Sequence, residues 1–156
     1  MNASRSAGNR GTVLIVDDDP AVLVLIQTIL TAADYRVLLA AEREDAVRMA
    51  TQKHLHIDLA LLDVRMPGMS ATALADEMLS LRPNVRVLFM SGLVDEEIIR
   101  IKMLDQYAGF LPKPFRSDGL LRAVRHALEA PAAAGWNAAE SAGLAAAASG
   151  TAIQIA

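Results

Sequence analysis

Short apolar runs alternate along the chain with longer amphipathic stretches. Val13 to Val16 is a run of β-formers that ends in acids, and Asp19-Pro20 then reads as the N-cap and first position of a helix running through Ala21 to Ala32. The same alternation recurs as strand Tyr35–Ala40 with helix Glu42–Gln52, strand Ile57–Asp63 with helix Ala71–Leu81, strand Val85–Met90 with helix Asp95–Leu104, and strand Gly109–Lys113 with helix Ser117–Glu129. Strands that are nearly continuous apolar runs, such as Leu59-Ala60-Leu61-Leu62, suit a parallel sheet covered on both faces. The pattern predicts a doubly wound α/β fold, a (βα)5 flavodoxin-like sandwich with strand order 2-1-3-4-5. Pro112 falls inside the fifth strand, which this order places at an edge, where a missing N–H is tolerated.

Length and composition narrow the reading. A chain of 156 residues is one domain's worth. The expected division is a loose arm over 1–11, a folded domain over 12–130 and an Ala-rich tail over 131–156, disordered or at most a marginal helix after Asn137. Without cysteine, thiolate metal sites, disulfides and thiol nucleophiles are excluded. A net charge of -3, from 15 basic and 18 acidic residues, gives no electrostatic footprint for nucleic acid or an anionic membrane. The polar start lacks the apolar core of a secretory signal, and the stretch Pro20 to Ala33 is too short to span a bilayer. The expected location is the cytoplasm.

In an open parallel sheet, the loops at the carboxyl ends of the strands build the site. Strand one ends there in Asp17-Asp18-Asp19, strand three in Asp63, strand four in Ser91-Gly92 and strand five in Lys113-Pro114, while strand two offers nothing comparable. Strands one and three are neighbours in this order, about 4.8 Å apart, so Asp17, Asp18 and Asp63 are crowded together. Such crowding calls for a cation. Mg²⁺ fits, because it takes one or two carboxylates and completes its octahedron with water and phosphate oxygens. An aspartate can be the nucleophile that forms an acyl phosphate, with Lys113 and Ser91 balancing the charge on the transferring group. Each residue alone has a plainer explanation: Asp19 as a helix cap, Asp63 as a loop former. His54 and His56 lack a third ligand and read as a solvated loop, and the methionines read as packing.

Four motifs carry a family resemblance: Val16-Asp17-Asp18-Asp19-Pro20, Leu61-Leu62-Asp63-Val64-Arg65-Met66-Pro67-Gly68-Met69, Met90-Ser91-Gly92 and Phe110-Leu111-Pro112-Lys113-Pro114-Phe115. From about Gly11 to Ala130 the chain resembles the receiver domain of bacterial two-component response regulators, of stand-alone or hybrid-kinase type. The resemblance implies Asp63 as phosphoacceptor and Asp17, Asp18, Asp63 and the backbone carbonyl of Arg65 around Mg²⁺. It also implies Ser91 and Lys113 on the phosphoryl group, Phe110 as the aromatic switch, a cis peptide before Pro114, and Arg65 with Leu93 tuning the lifetime of the phosphoryl group. The implied donor is a histidine kinase or histidine phosphotransfer protein, and the implied output is an unidentified downstream protein. One departure is Ser70-Ala71, where similar domains carry glycine, so the start of the third helix is expected to differ in shape.

Two other readings compete. A Mg²⁺ phosphohydrolase of the dehalogenase-like kind places a second aspartate two residues after its nucleophile, and Arg65 stands there. A receiver-like interaction domain that works without phosphate is expected to lose an acid, the hydroxyl or the lysine, and all are present. The periodicity of the first helix points Val22, Leu25, Ile26, Ile29 and Leu30 at the sheet and leaves Leu23, Val24, Gln27, Thr28 and Thr31 outside, an uncharged strip. The family resemblance makes this strip a docking surface for partner helices, with harmless exposure, a homodimer contact or cover by Leu144 and Ile153 of the tail as alternatives.

Overall fold

A computed structural model describes residues 8–68, 70–92 and 107–130. The fourth helix expected at Asp95–Leu104, Leu93, Met69, Met103 and the tail 131–156 lie outside the described residues. The elements are β1 (Thr12–Val16), α1 (Pro20–Ala32), β2 (Arg36–Ala40), α2 (Arg43–Thr51), β3 (Leu59–Asp63), α3 (Ala71–Leu81), β4 (Arg86–Ser91), β5 (Gly109–Pro112) and α4 (Ser117–Glu129). All strand pairs are parallel, in the order β2-β1-β3-β4-β5.

The apolar runs are explained by burial on both sheet faces. Leu14, Val16, Ala60, Leu62, Val87 and Phe89 face one layer with α2 and α3, which contribute Ala46, Ala50, Leu74, Ala75 and Met78. Their sequence neighbours Val13, Ile15, Leu59, Leu61, Leu88 and Met90 face the other, under α1 and α4. Pro112 lies in an edge strand, as the topology requires.

Helix ends are set by local chemistry. Asp19 caps α1, its Oδ1 accepting from Ala21 N at 2.9 Å, with Pro20 in the first turn. At the other end Asp34 takes φ 67, and the amides of Asp34 and Tyr35 donate to Thr31 and Leu30 carbonyls, a Schellman closure. At Ser70-Ala71, Ser70 takes φ -91 and caps α3 by accepting from Ala73 N, while the positive φ of +70 lies at Gly68. Arg82 donates to the carbonyls of Ala50 and Gln52 and closes the end of α2.

One expectation is corrected. Leu23 is buried and Leu25 is half exposed, so α1 is rolled from its expected orientation, with Leu23, Ile26 and Leu30 as its inner row. The run Val22-Leu23-Val24-Leu25-Ile26 is apolar throughout, so periodicity alone does not choose between adjacent stripes, and packing against the sheet and α4 decides it. Leu23→Ala is accordingly expected to cost about 2–5 kcal/mol of stability, and Leu25→Ala less than about 1 kcal/mol. Urea unfolding of the two variants measures both; equal costs contradict the roll.

Candidate functional site

The sheet register builds the site. Val16 pairs with Leu62 and Asp63 pairs with Met90, so Asp17 and Asp63 leave adjacent strands at the same level, with Ser91 one residue further on. Ser91 pairs with Pro112, and the amide of Lys113 donates to the Ser91 carbonyl at 2.7 Å, which brings Lys113 to the same edge. The Lys113–Pro114 peptide is cis. At the carboxyl end of β2, the carbonyl of Ala40 accepts from Asp17 N.

Ligand atoms of Asp17, Asp18 and Asp63 all lie within 4.8 Å of one another. Asp17 and Asp63 are buried, and Asp18 is exposed at the rim. Lys113 Nζ lies 2.8 Å from Asp17 Oδ2 and 3.5 Å from Asp63 Oδ1. Asp17 Oδ1 accepts from Asp19 N, and Asp63 Oδ1 accepts from Arg65 N at 3.2 Å. Burial pushes the Asp63 carboxyl above its ordinary range, the nearby Lys113 ammonium opposes this, and the Asp17 carboxylate reinforces it.

Three carboxylates against one ammonium leave the cluster formally with two negative charges, and every donor atom is a hard oxygen. This donor set fits a divalent cation such as Mg²⁺. His54 and His56 take no part: His54 is exposed, and His56 Nε2 lies 2.8 Å from Asp58 Oδ1.

Of the other anticipated residues, Ser91 is fully buried and its hydroxyl donates to the Gly92 carbonyl. Phe110 is partly buried against the α2/α3 layer. Arg65 meets Asp63 through its backbone amide. Sequence reasoning missed two contacts. Lys113, read as a counter-ion for phosphate, is also the ion-pair partner of Asp17 across the sheet, and no spacing along the chain signals that. Tyr107, stacked edge-on against Phe89 with ring centroids 4.9 Å apart, donates to Asp76 of α3 at 2.6 Å.

Known proteins resemble this chain in sequence and fold. The sequence profile of the response regulator receiver domain matches residues 13–125. The chain is 38% identical over 126 residues to the transcriptional regulatory protein AruR of Pseudomonas aeruginosa, covering 74% of this chain and 51% of that protein. It is 32% identical over 118 residues to the sensor kinase CckA of Brucella abortus, covering 76% of this chain and 12% of that protein. Among solved structures, a CheY-like receiver domain protein from Methanospirillum hungatei JF-1 superposes with a TM-score of 0.68 at 27% identity, covering 76% of this chain and 94% of that one. The chain belongs to the response regulator receiver domain family. It spans about half or less of the length of these curated relatives. No helix among the described residues is long and apolar enough to cross a membrane.

A carboxyl whose folded pKa is raised binds its proton more tightly in the folded than in the unfolded state. Stability therefore falls as pH rises from the ordinary carboxylate range through the raised Asp63 value, and stays lower above it. Metal-free Asp63→Asn is expected to melt above the wild type at neutral pH, with the gap closing as pH falls through that window. Mg²⁺ at a hundred times its dissociation constant adds about 2.7 kcal/mol to the wild type, and less to the variant. Calorimetry with and without Mg²⁺ checks both; a gap that widens in acid overturns the sign.

Proposed function

We propose that the chain is a phosphoacceptor module in which Asp63 takes a phosphoryl group from a phosphohistidine on a histidine kinase or histidine phosphotransfer protein. A carboxylate oxygen of Asp63 bonds to phosphorus while the bond from phosphorus to the donor imidazole nitrogen breaks, its electron pair returning to the ring. Lys113 neutralises the incoming phosphoryl oxygens, and the Ser91 hydroxyl leaves the Gly92 carbonyl to donate to one of them. Mg²⁺, held by Asp17, Asp18, Asp63 and the backbone carbonyl of Arg65, supplies further charge neutralisation when bound. The observation that carries this reading is three carboxylates within 4.8 Å of one another beside one ammonium, at the edge where four strands deliver their polar residues.

On this reading the phosphoryl group leaves only by hydrolysis of the acyl phosphate, and no separate substrate is turned over, since Arg65 stands where a dehalogenase-like acid would be needed. Output passes through Phe110 and Ser91 to a surface read by a downstream protein, in the cytoplasm where kinase donors act. Membership of the family supports the donor class. The domain reading is the arm 1–11, the receiver 12–130 and the tail 131–156.

Acetyl phosphate with Mg²⁺ is expected to add one phosphoryl group to the wild type and none to Asp63→Asn, as read by intact mass. Asp18→Ala is expected to lose the Mg²⁺ dependence and most of the rate, roughly the 10²-fold or more that loss of a positioned charge costs. An undiminished adduct in Asp63→Asn sinks the assignment.

Arg65 and Leu93, the latter outside the described residues, follow Asp63 and Ser91 by two positions and are proposed to shield the acyl phosphate from water. Arg65→Ala with Leu93→Ala is expected to shorten the lifetime of the phosphorylated form about tenfold, close to one or two kcal/mol of barrier. An unchanged dephosphorylation rate removes this role.

A further inference from the structure

Among the described helices α1 alone carries no charged residue: α2, α3 and α4 carry Arg43, Glu77 and Arg122 among others, whereas Pro20–Ala32 has none. Its outer face is made of Ala21, Val24, Leu25, Thr28, Thr31 and Ala32, all exposed. Val24 is 59% exposed and Leu25 50%. The Thr28 hydroxyl turns inward along the helix and donates to the Val24 carbonyl at 2.8 Å, so even this polar group is satisfied within the strip. A helix that meets only water ordinarily places Lys, Glu or Arg on such a face.

The chain itself supplies matching material. Residues 131–156 contain a single charge, Glu140, and carry Trp136, Leu144, Ile153 and Ile155 among alanines. The described chain ends at Ala130, whose carbonyl accepts from Arg86 Nε at the start of β4, at the end of the sheet where α1 closes. Ala130, the last described residue, is buried in the same core layer as Leu30 and Tyr35 at the close of α1. Leu128 of the last turn of α4 lies 3.6 Å from the Cβ position of Gly11, whose carbonyl accepts from Arg36 just after that closure. From there α1 rises about 20 Å over its 13 residues. Trp136, six residues past Ala130, can reach roughly 20 Å in extended chain. Reach, exit point and lack of charge agree on one occupant.

We propose that the segment 131–156 folds back over the outer face of α1 and covers Val24 and Leu25 with its apolar side chains. A protein that docks on this strip then competes with the segment. The proposal stands independently of phosphorylation.

Trp136 is the only tryptophan, so the full chain carries its own reporter. Its emission is expected to be blue-shifted from that of free tryptophan, its acrylamide quenching several-fold weaker, and both independent of protein concentration. Val24→Glu with Leu25→Glu, on exposed positions that leave the circular dichroism unchanged, is expected to move both readings to the values of free tryptophan; Leu144→Asp is expected to do the same from the other side. A water-exposed Trp136 in the wild type overturns the proposal. So does a buried one that ignores the α1 substitutions, or one whose burial vanishes on dilution, which assigns the strip to a second copy.

Discussion

One ammonium holds the acidic edge of this domain together. Asp17 and Asp63 are buried at the same level of neighbouring strands, where two ionised carboxyls repel and each loses its hydration. Lys113 reaches back from the far edge strand to lie 2.8 Å from one and 3.5 Å from the other. Its pull opposes the burial that lifts the Asp63 carboxyl, while the backbone amides of Asp19 and Arg65 satisfy one oxygen of each acid. Without that single positive charge the two acids face each other across about one strand spacing. The excess negative charge that remains is what makes the cluster receptive to a divalent cation.

That arrangement follows from the parallel sheet. Strands that all run one way deliver their carboxyl ends to one edge, and a register in which Asp63 faces Met90 and Ser91 faces Pro112 lines up residues distant in sequence. Two fully apolar layers hold the register, since slipping a strand by one residue exchanges the sets facing α2 and α3 for those facing α1 and α4. The tight layer under α2 and α3 uses alanine at Ala46, Ala50, Ala71 and Ala75, and the larger side chains Phe89 and Met78 fill the remainder.

The fold was legible because its signals are local. A β-rich run ending in acids, an Asp-Pro helix start and a proline tolerated at an edge strand each carry a physical meaning in a few residues. The acidic cluster was legible as well, because topology turns strand ends into neighbours. The orientation of α1 was not, since five consecutive apolar residues offer two equally good stripes. Nor was the reach of Lys113 to Asp17, the closure of α2 by Arg82 or the bond from Tyr107 to Asp76, each a side-chain contact across a distance no periodicity encodes.

The edge strand is where chemistry at the acids has mechanical consequence. β5 is four residues long and pairs on one side only, so it is held by few backbone bonds. Yet it joins Lys113 at its carboxyl end, Phe110 within it and, just before it, Tyr107, which is tied to Asp76 of α3. On the proposed reading, a phosphoryl group on Asp63 offers Lys113 oxygens of higher charge than the Asp17 carboxylate it holds now. The pull on Lys113 then changes at one end of this edge strand, while the Tyr107 bond anchors the other. Ser91 lies in β4, directly against that strand, and its hydroxyl donates to the adjacent Gly92 carbonyl. A local rotation is enough to redirect it, so both groups that meet the phosphoryl group sit where a small displacement reaches the surface around Phe110.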